Sequence, residues 1–337
     1  MNKFSSNLIV GTTLFLAIGF ALWQLYGEQL RSFFPHEAPV VTQGQPERTL
    51  LGHLTLTLKP MLPAEAHAAI YNYSFGNNTL NIVNNAHNYF APAFSTDDRV
   101  AVVAGDEETE YQLYIANRKN QQVITSLVPP SPALSAGAAA WSPDNTAVIY
   151  EAQTALPSVD NFDIENSRIV YANLGTSEQR IIDTGASPVF EKDGSILYLK
   201  DDGVYHTQIV DGVASGTTRI LTFTDNHADI RSRIALSPDG ALLAVTIPDY
   251  RYAAVFSIDA NNVLVKTNLL SNTIVALWPV FSPDSSALAF INISIPQTGE
   301  VTKKSLMVFD STTGILHEEL DLKAFNEQFA SLTGWTK

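Results

Sequence analysis

The chain has 337 residues, and its 34 acidic side chains against 20 basic ones give a formal net charge of −14. That sign excludes a nucleic-acid binder, which needs a basic surface, and it argues against adhesion to an anionic bilayer beyond any inserted anchor. With no cysteine there is neither a disulfide framework nor a metal–thiolate site.

Residues 1–7, with Lys3 and the free amine, are read as a short cytoplasmic tail. Leu8 to Tyr26 follows, with Gln24 as the only strongly polar side chain. Such a helix would be about 28 Å long at 1.5 Å per residue, enough to cross a bilayer core. The segment is a membrane span or a signal sequence. A cleaved signal needs a shorter apolar region and small residues at the cleavage site, whereas this one leaves the membrane through Trp23 and Tyr26, as an uncleaved anchor does. The slim basic excess before the span puts the tail in the cytoplasm and the rest of the chain outside it. Residues 27–49 are a linker, with Pro35, Pro39, Gly44 and Pro46.

From residue 50 onward the pattern is all-β. Three strand-like pieces, Leu54 to Leu58, Ala69 to Phe75 and Thr79 to Val83, precede five copies of one unit: FSTDDRVAVVAG from Phe94, WSPDNTAVIYEA from Trp141, FEKDGSILYLKD from Phe190, LSPDGALLAVTI from Leu236 and FSPDSSALAFIN from Phe281. Successive starts lie 47, 49, 46 and 45 residues apart, the period of one four-stranded propeller blade. Pro143, Pro238 and Pro283 preset φ for a turn, the aspartates accept local backbone hydrogen bonds, and Gly194 and Gly240 permit positive φ. The aspartates are therefore turn formers rather than catalysts.

Each turn opens into an apolar strand covered on both faces: Val100 to Val103, Ala147 to Tyr150, Ile196 to Leu199, Leu242 to Val245 and Leu288 to Ile291. A more mixed strand follows, and a polar one such as Gln122 to Leu127, Arg180 to Asp183 or Val263 to Thr267 closes the blade at its outer edge. The three strands before Phe94 lack an innermost partner. One period beyond Phe281 ends near Phe329, so Leu332 to Trp335 is predicted to supply it. The expectation is a six-bladed propeller, each blade four-stranded, with both termini closing one blade; a short helix over Lys323 to Leu332 is the alternative for the chain's end.

These Ser-Pro-Asp-Gly turns resemble those of the WD-repeat-like propellers, the TolB C-terminal domain among them, over residues 50 to 337. The resemblance implies the propeller fold, and it implies function only loosely, since that turn family hosts envelope interaction proteins and protease gating domains. Glu191-Lys192 in place of Ser-Pro, and Thr96 in place of Pro, depart from the pattern.

In such a blade the connections from second to third strand open on the same face as those between blades. Here the second-to-third connections carry Asp106, Glu107, Glu108 and Glu110, then Asp160, Asp163 and Glu165, then Asp201 and Asp202, then Asp249, then Glu300. The opposite hairpin Asn117 to Gln121 is neutral or basic. One rim is thus predicted to be acidic and loop-rich, the usual place for a partner. On it Asp106, Glu107, Glu108, Asp249, Tyr250, Arg251 and Tyr252 are the candidate partner contacts, Tyr and Arg being favoured at binding hot spots. Asp160, Asp163 and Glu165 are closely spaced oxygen ligands of the kind Ca²⁺ takes, without the EF-hand spacing; no other cofactor is implied.

No G-x-S-x-G elbow, H-E-x-x-H, Walker loop or dinucleotide turn occurs. The seven histidines are scattered, although His87, and His227 with Asp225 and Asp229, fall on connections of the acidic face. Trp141, Trp278, Phe94, Phe190 and Phe281 are expected between blades. The reading is a membrane-anchored, extracytoplasmic propeller that binds a protein or cell-envelope component through its acidic face. The alternative is a hydrolase or lyase acting on a sugar or peptide with axial His and Asp residues.

Overall fold

Three of the five repeated turns, those at Ser142, Ser237 and Ser282, close through the same short-range chemistry; Ser95 does so with the N–H of Arg99, one residue nearer, and in the third copy the Ser195 hydroxyl donates back to Glu191 and Asp193. In the computed structural model, which describes residues 50, 52–60, 69–75, 79–84, 89–104, 111–154, 163–223, 227–247, 252–259, 264–271, 275–294, 303–322 and 327–336, the serine hydroxyl donates to the aspartate two residues on, at 2.7 Å for Ser142 to Asp144 and 2.6 Å for Ser237 to Asp239. The same hydroxyl accepts the N–H five residues on, at 2.9 Å from Ala147 and 2.8 Å from Leu242. The carboxylate in turn accepts the N–H two residues beyond itself, from Thr146 and Ala241, both at 3.0 Å. The residue after the aspartate is left-handed in every copy: Asp98, Asn145, Gly194, Gly240 and Ser285 have φ of 66°, 57°, 87°, 77° and 62°. Glycine adopts that conformation without strain, and Asn and Asp tolerate it better than most residues. The aspartates are scaffold, as the sequence implies.

The strands follow in chain order. β1 (His53–Pro60), β2 (Ala69–Ser74) and β3 (Thr79–Asn84) come first. Five blades follow, each an antiparallel meander from the axis outward: β4 (Tyr89–Phe94) to β7 (Val123–Leu127), β8 (Ser135–Trp141) to β11 (Gln179–Thr184), β12 (Ala186–Phe190) to β15 (Val213–Thr222), β16 (Arg233–Leu236) to β19 (Leu264–Ser271), and β20 (Val275–Phe281) to β23 (Leu316–Asp321). The last strand, β24 (Glu327–Thr336), pairs antiparallel with β1, so the sixth blade reads β24, β1, β2, β3 from the axis outward. Leu54 lies opposite Trp335 and Leu56 opposite Leu332. The predicted closure by both termini is therefore present, and the strand replaces the alternative helix over the described part of 323–332. Extended backbone there completes a ladder that β1 would otherwise leave open.

The core lies between blades rather than within one. Ile149 and Ile169 of one blade meet Ile196 and Tyr198 of the next, Leu54, Leu56 and Trp335 of the closing blade meet Ala289, Ile291 and Val308, and Val255 and Ala244 meet Phe290 and Phe309. Sandwiching explains why the second strand of each blade is apolar on both sides: β9 (Ala147–Gln153) is buried along six of its seven residues. Each large side chain so enclosed contributes about 1.5–3 kcal/mol. Trp141 also bonds across blades, its indole N–H donating to the Ala93 carbonyl at 2.9 Å.

Residues 1–49, with the anchor expected over 8–26, lie outside the described residues, and among those described no helix is long and apolar enough to cross a membrane.

Candidate functional site

The six innermost strands bound a cavity on the propeller axis of about 260 Å³, lined by Pro92, Ala139, Pro188, Arg233, Trp278 and Leu332, one from each blade. Three of these innermost strands are bulged. Pairing to the second strand slips between Phe90 and Ala93, Ala186 and Val189, and Leu277 and Val280. In each slip a left-handed residue, Ala91, Ser187 or Trp278, with φ of 45°, 52° and 58°, is followed by a proline. Proline has no N–H to give the ladder, so the strand bends where it stands and bares its backbone to the axis. Such conformations cost of order 1–3 kcal/mol and collect at ligand sites.

Into this mostly apolar wall one charged side chain projects. Arg233 takes the place that Ala91, Ala138, Ser187 and Trp278 hold in the other turn-bearing blades. Its guanidinium lies 4.3 Å over the Trp278 ring, a cation–π stack. Nη1 donates to the carbonyls of Ile230, at 2.5 Å, and Ser232, at 2.8 Å, while the buried Nε has no partner among the described residues. Glu151, 1% exposed, stands 3.7 Å from Nη1. Its carboxylate accepts the Ser187 N–H at 3.2 Å and a Gln153 amide hydrogen at 3.3 Å. The Ser187 hydroxyl accepts the Ile234 N–H at 2.9 Å. Glu151, Ser187 and Arg233 thus tie three blades together at the axis.

Sequence reasoning missed this group. Aligned on the turns, the repeats do carry the signal: Arg233 is the lone basic residue at its innermost-strand position, and Glu151 ends an apolar run. Trp278, expected only between blades, also walls the cavity.

Of the candidate partner contacts, Asp106, Glu107, Glu108, Asp249, Tyr250 and Arg251 lie outside the described residues, as does Asp160. Tyr252 opens β18 (Tyr252–Ile258) half-buried against the core shared with the preceding blade, with Lys266 Nζ 5.4 Å from its ring centre; burial pushes its hydroxyl up to about 12. Asp163 and Glu165 are exposed, and Asp163 caps a single 3₁₀ turn by accepting the Glu165 N–H at 3.0 Å. Among the described residues no three His, Cys, Asp or Glu side chains converge on a metal position.

Three described acids of the loop-rich face are matched by bases. Asp202 pairs with Arg219, Asp229 with Arg231, and Asp201 with His227 at 3.0 Å. His227 lies against Asp201, and His87 and Asp225 lie outside the described residues. Neither His227, nor His206 beside Glu191 at 3.2 Å, nor His317 beside Asp310 at 3.8 Å lines the cavity.

The opposite face is occupied by the turns, which bond to one another. The Thr96 N–H donates to Asn145 Oδ1 at 3.3 Å, Lys192 Nζ to the Asp239 carbonyl at 2.6 Å, and the Asp239 N–H to Ser285 Oγ at 3.1 Å. Thr96 and Lys192 are the two residues that stand where the pattern has proline. Thr96 reaches the next turn by donating its backbone N–H and Lys192 by donating from its side chain, and proline has neither donor.

No family model and no curated protein matches the chain. Among solved structures it is similar to TolB from Acinetobacter baumannii, at 17% identity and a TM-score of 0.61 over 84% of this chain and 67% of that one. It is also similar to a chain of the nidogen/laminin complex, at 12% identity and a TM-score of 0.58 over 85% and 98%. The protein assigned as TolB in Agrobacterium tumefaciens is a third, at 13% and 0.51 over 81% and 90%. At these identities the likeness establishes the TolB-like propeller fold, in agreement with the resemblance carried by the turns, and nothing finer.

Proposed function

We propose that this propeller binds another protein, or a cell-envelope component, through its loop-rich face. The observation that carries the reading is the division of labour between the two faces. On one, tight turns consume their own polar groups and those of their neighbours. On the other lie the longest connections, such as 154 to 166, and the sequence assigns to connections of that face the acids Asp106, Glu107 and Glu108 and the cluster Asp249 to Tyr252. Propellers use such loops for recognition because a rigid ring positions them. That the same fold occurs in the nidogen/laminin complex is consistent with a protein partner.

The second part of the proposal is tethering: residues 8–26 as an uncleaved anchor, residues 27–49 as a spacer and the propeller outside the cytoplasm. The length and apolarity of the segment support it. Added protease should digest the propeller in intact cells with a permeable outer layer, while a cytoplasmic marker survives; protection of both would place the propeller inside. Partner binding is tested by capture from solubilised membranes. The triple change Asp106→Lys, Glu107→Lys and Glu108→Lys is expected to release a partner that the unaltered chain holds, and unchanged capture would reject this face. The hydrolase or lyase reading requires histidines on the axis, and none of the described ones is there.

A further inference from the structure

We propose that the axial cavity is a binding site for a small molecule with an apolar body and a carboxylate, held by Arg233 and Trp278. This goes beyond the recognition of a partner at the loop-rich face and does not depend on it.

Size comes first. The cavity, about 260 Å³, exceeds the roughly 150 Å³ that suffices for benzene in an apolar protein interior. Its walls are hydrocarbon: Pro92, Pro188, Val189, Pro279, Val280 and Leu332. Because three of these positions are prolines, the bulges offer few backbone donors to anything that enters. A ligand must therefore bury apolar surface against the wall and satisfy a side-chain donor if it is polar at all.

Arg233 is that donor. Nη1 is committed to two carbonyls, but Nε is buried with no acceptor among the described residues. Leaving a charged group's donor unsatisfied costs at least about 1–3 kcal/mol. Glu151 does not remove that cost, because at 3.7 Å it makes no hydrogen bond to the guanidinium and uses its oxygens on Ser187 and Gln153. It does hold compensating charge close by, which lets an arginine remain at the axis of an apolar ring. The guanidinium lines the cavity, and its planar fork matches a carboxylate's two oxygens, while stacking on Trp278 fixes the plane in which they must lie. The indole and the prolines then take the ligand's hydrocarbon part.

The test uses the full chain, purified in a nonionic detergent, with phenylacetate and its neutral isostere phenylacetamide as probes. Calorimetric titration is expected to show saturable binding of the acid about tenfold or more tighter than that of the amide, the margin of a charge-assisted over a neutral bond. The acid should also quench tryptophan emission, and Trp278→Phe should abolish that quenching. Arg233→Lys, which keeps the charge and loses the fork, should weaken the acid about tenfold and leave the amide unchanged. Equal affinity for acid and amide, or no saturable heat from the acid up to about 10 mM, would overturn the assignment. Both of those comparisons are made on the unaltered chain, so they stand even if the Arg233 variant fails to fold.

Discussion

Asn145 and Thr96, on consecutive turns 49 positions apart, bond to each other twice: Asn145 Nδ2 donates to Thr96 Oγ1 at 2.6 Å, and the Thr96 N–H donates to Asn145 Oδ1 at 3.3 Å. Arg99 reinforces the pair by donating to the Asn145 carbonyl at 2.6 Å. The contact joins two blades on the turn face with exposed polar groups and no apolar burial.

That pair separates two effects of one position. Asn145→Gly keeps the left-handed backbone and removes the side-chain bonds, so it should cost about 1 kcal/mol, the net worth of such contacts. Asn145→Ala removes the bonds and also forces a Cβ into φ near 57°, adding about 1 kcal/mol more. Denaturant unfolding should rank the native chain above the glycine variant and the glycine variant above the alanine. Equal midpoints for all three would show that the turns do not bind the blades.

The turn carboxylates make stability depend on acid. The Arg99 guanidinium and then the Ser95 hydroxyl hold Asp97 down from 3.8 to about 2; hydrogen bonds led by the Ser142 hydroxyl lower Asp144, and those led by the Ser195 hydroxyl lower Asp193. A folded-state value below the unfolded one means the contribution is complete above about pH 4 and is lost as pH falls toward 2. All three groups are near the surface, so each effect is small and weakened by salt. The unfolding midpoint should be flat from pH 7 to 5 and fall below pH 4. Asp97→Asn should lower the plateau and reduce the slope. A midpoint that held constant down to pH 2.5 would refute the linkage.

The closing blade predicts the effect of damage at the chain's end. Trp335, 8% exposed, stacks on Phe75 with ring centres 4.8 Å apart, and its strand supplies the innermost ladder to β1. Trp335→Ala should cost about 3–5 kcal/mol. Deletion of residues 327–337 should leave β1 with an open edge toward the axis that aggregates. A soluble, cooperatively unfolding truncation would show that closure is dispensable.

What was legible in the residues follows the range of the interactions. The turns could be read because Ser142, Asp144 and Thr146 bond within five positions of one another, and counting periods from them left one strand missing and one terminus to fill it. The bulges at Ala91, Ser187 and Trp278 were hidden, because a slip in pairing depends on the neighbouring strand. β15 was expected as the fourth strand of its blade, but its bounds were not legible: its sequence, VASGTTRILT, shows no alternation, and it is mostly exposed along an outer edge. The axial group was the hardest to see. Glu151 and Arg233 are 82 positions apart and meet only because the ring closes.

Their pairing gives the last prediction. A buried charge that loses its partner is far more costly than a pair that is removed together. Arg233→Met leaves the Glu151 carboxyl enclosed and held only by neutral donors, and Glu151→Gln leaves the guanidinium with two carbonyls and an aromatic face. Each single change should destabilise the fold by about 3–5 kcal/mol, with the glutamine variant at the lower end because it can still accept the Ser187 N–H. The double variant removes both charges and keeps the volumes, so its cost should fall well short of the sum, by at least about 1 kcal/mol in a double-mutant cycle. Strict additivity would mean that 3.7 Å of low-dielectric space couples the two residues no more than surface charges are coupled, and Arg233 would then owe its place to Trp278 and its two carbonyls alone.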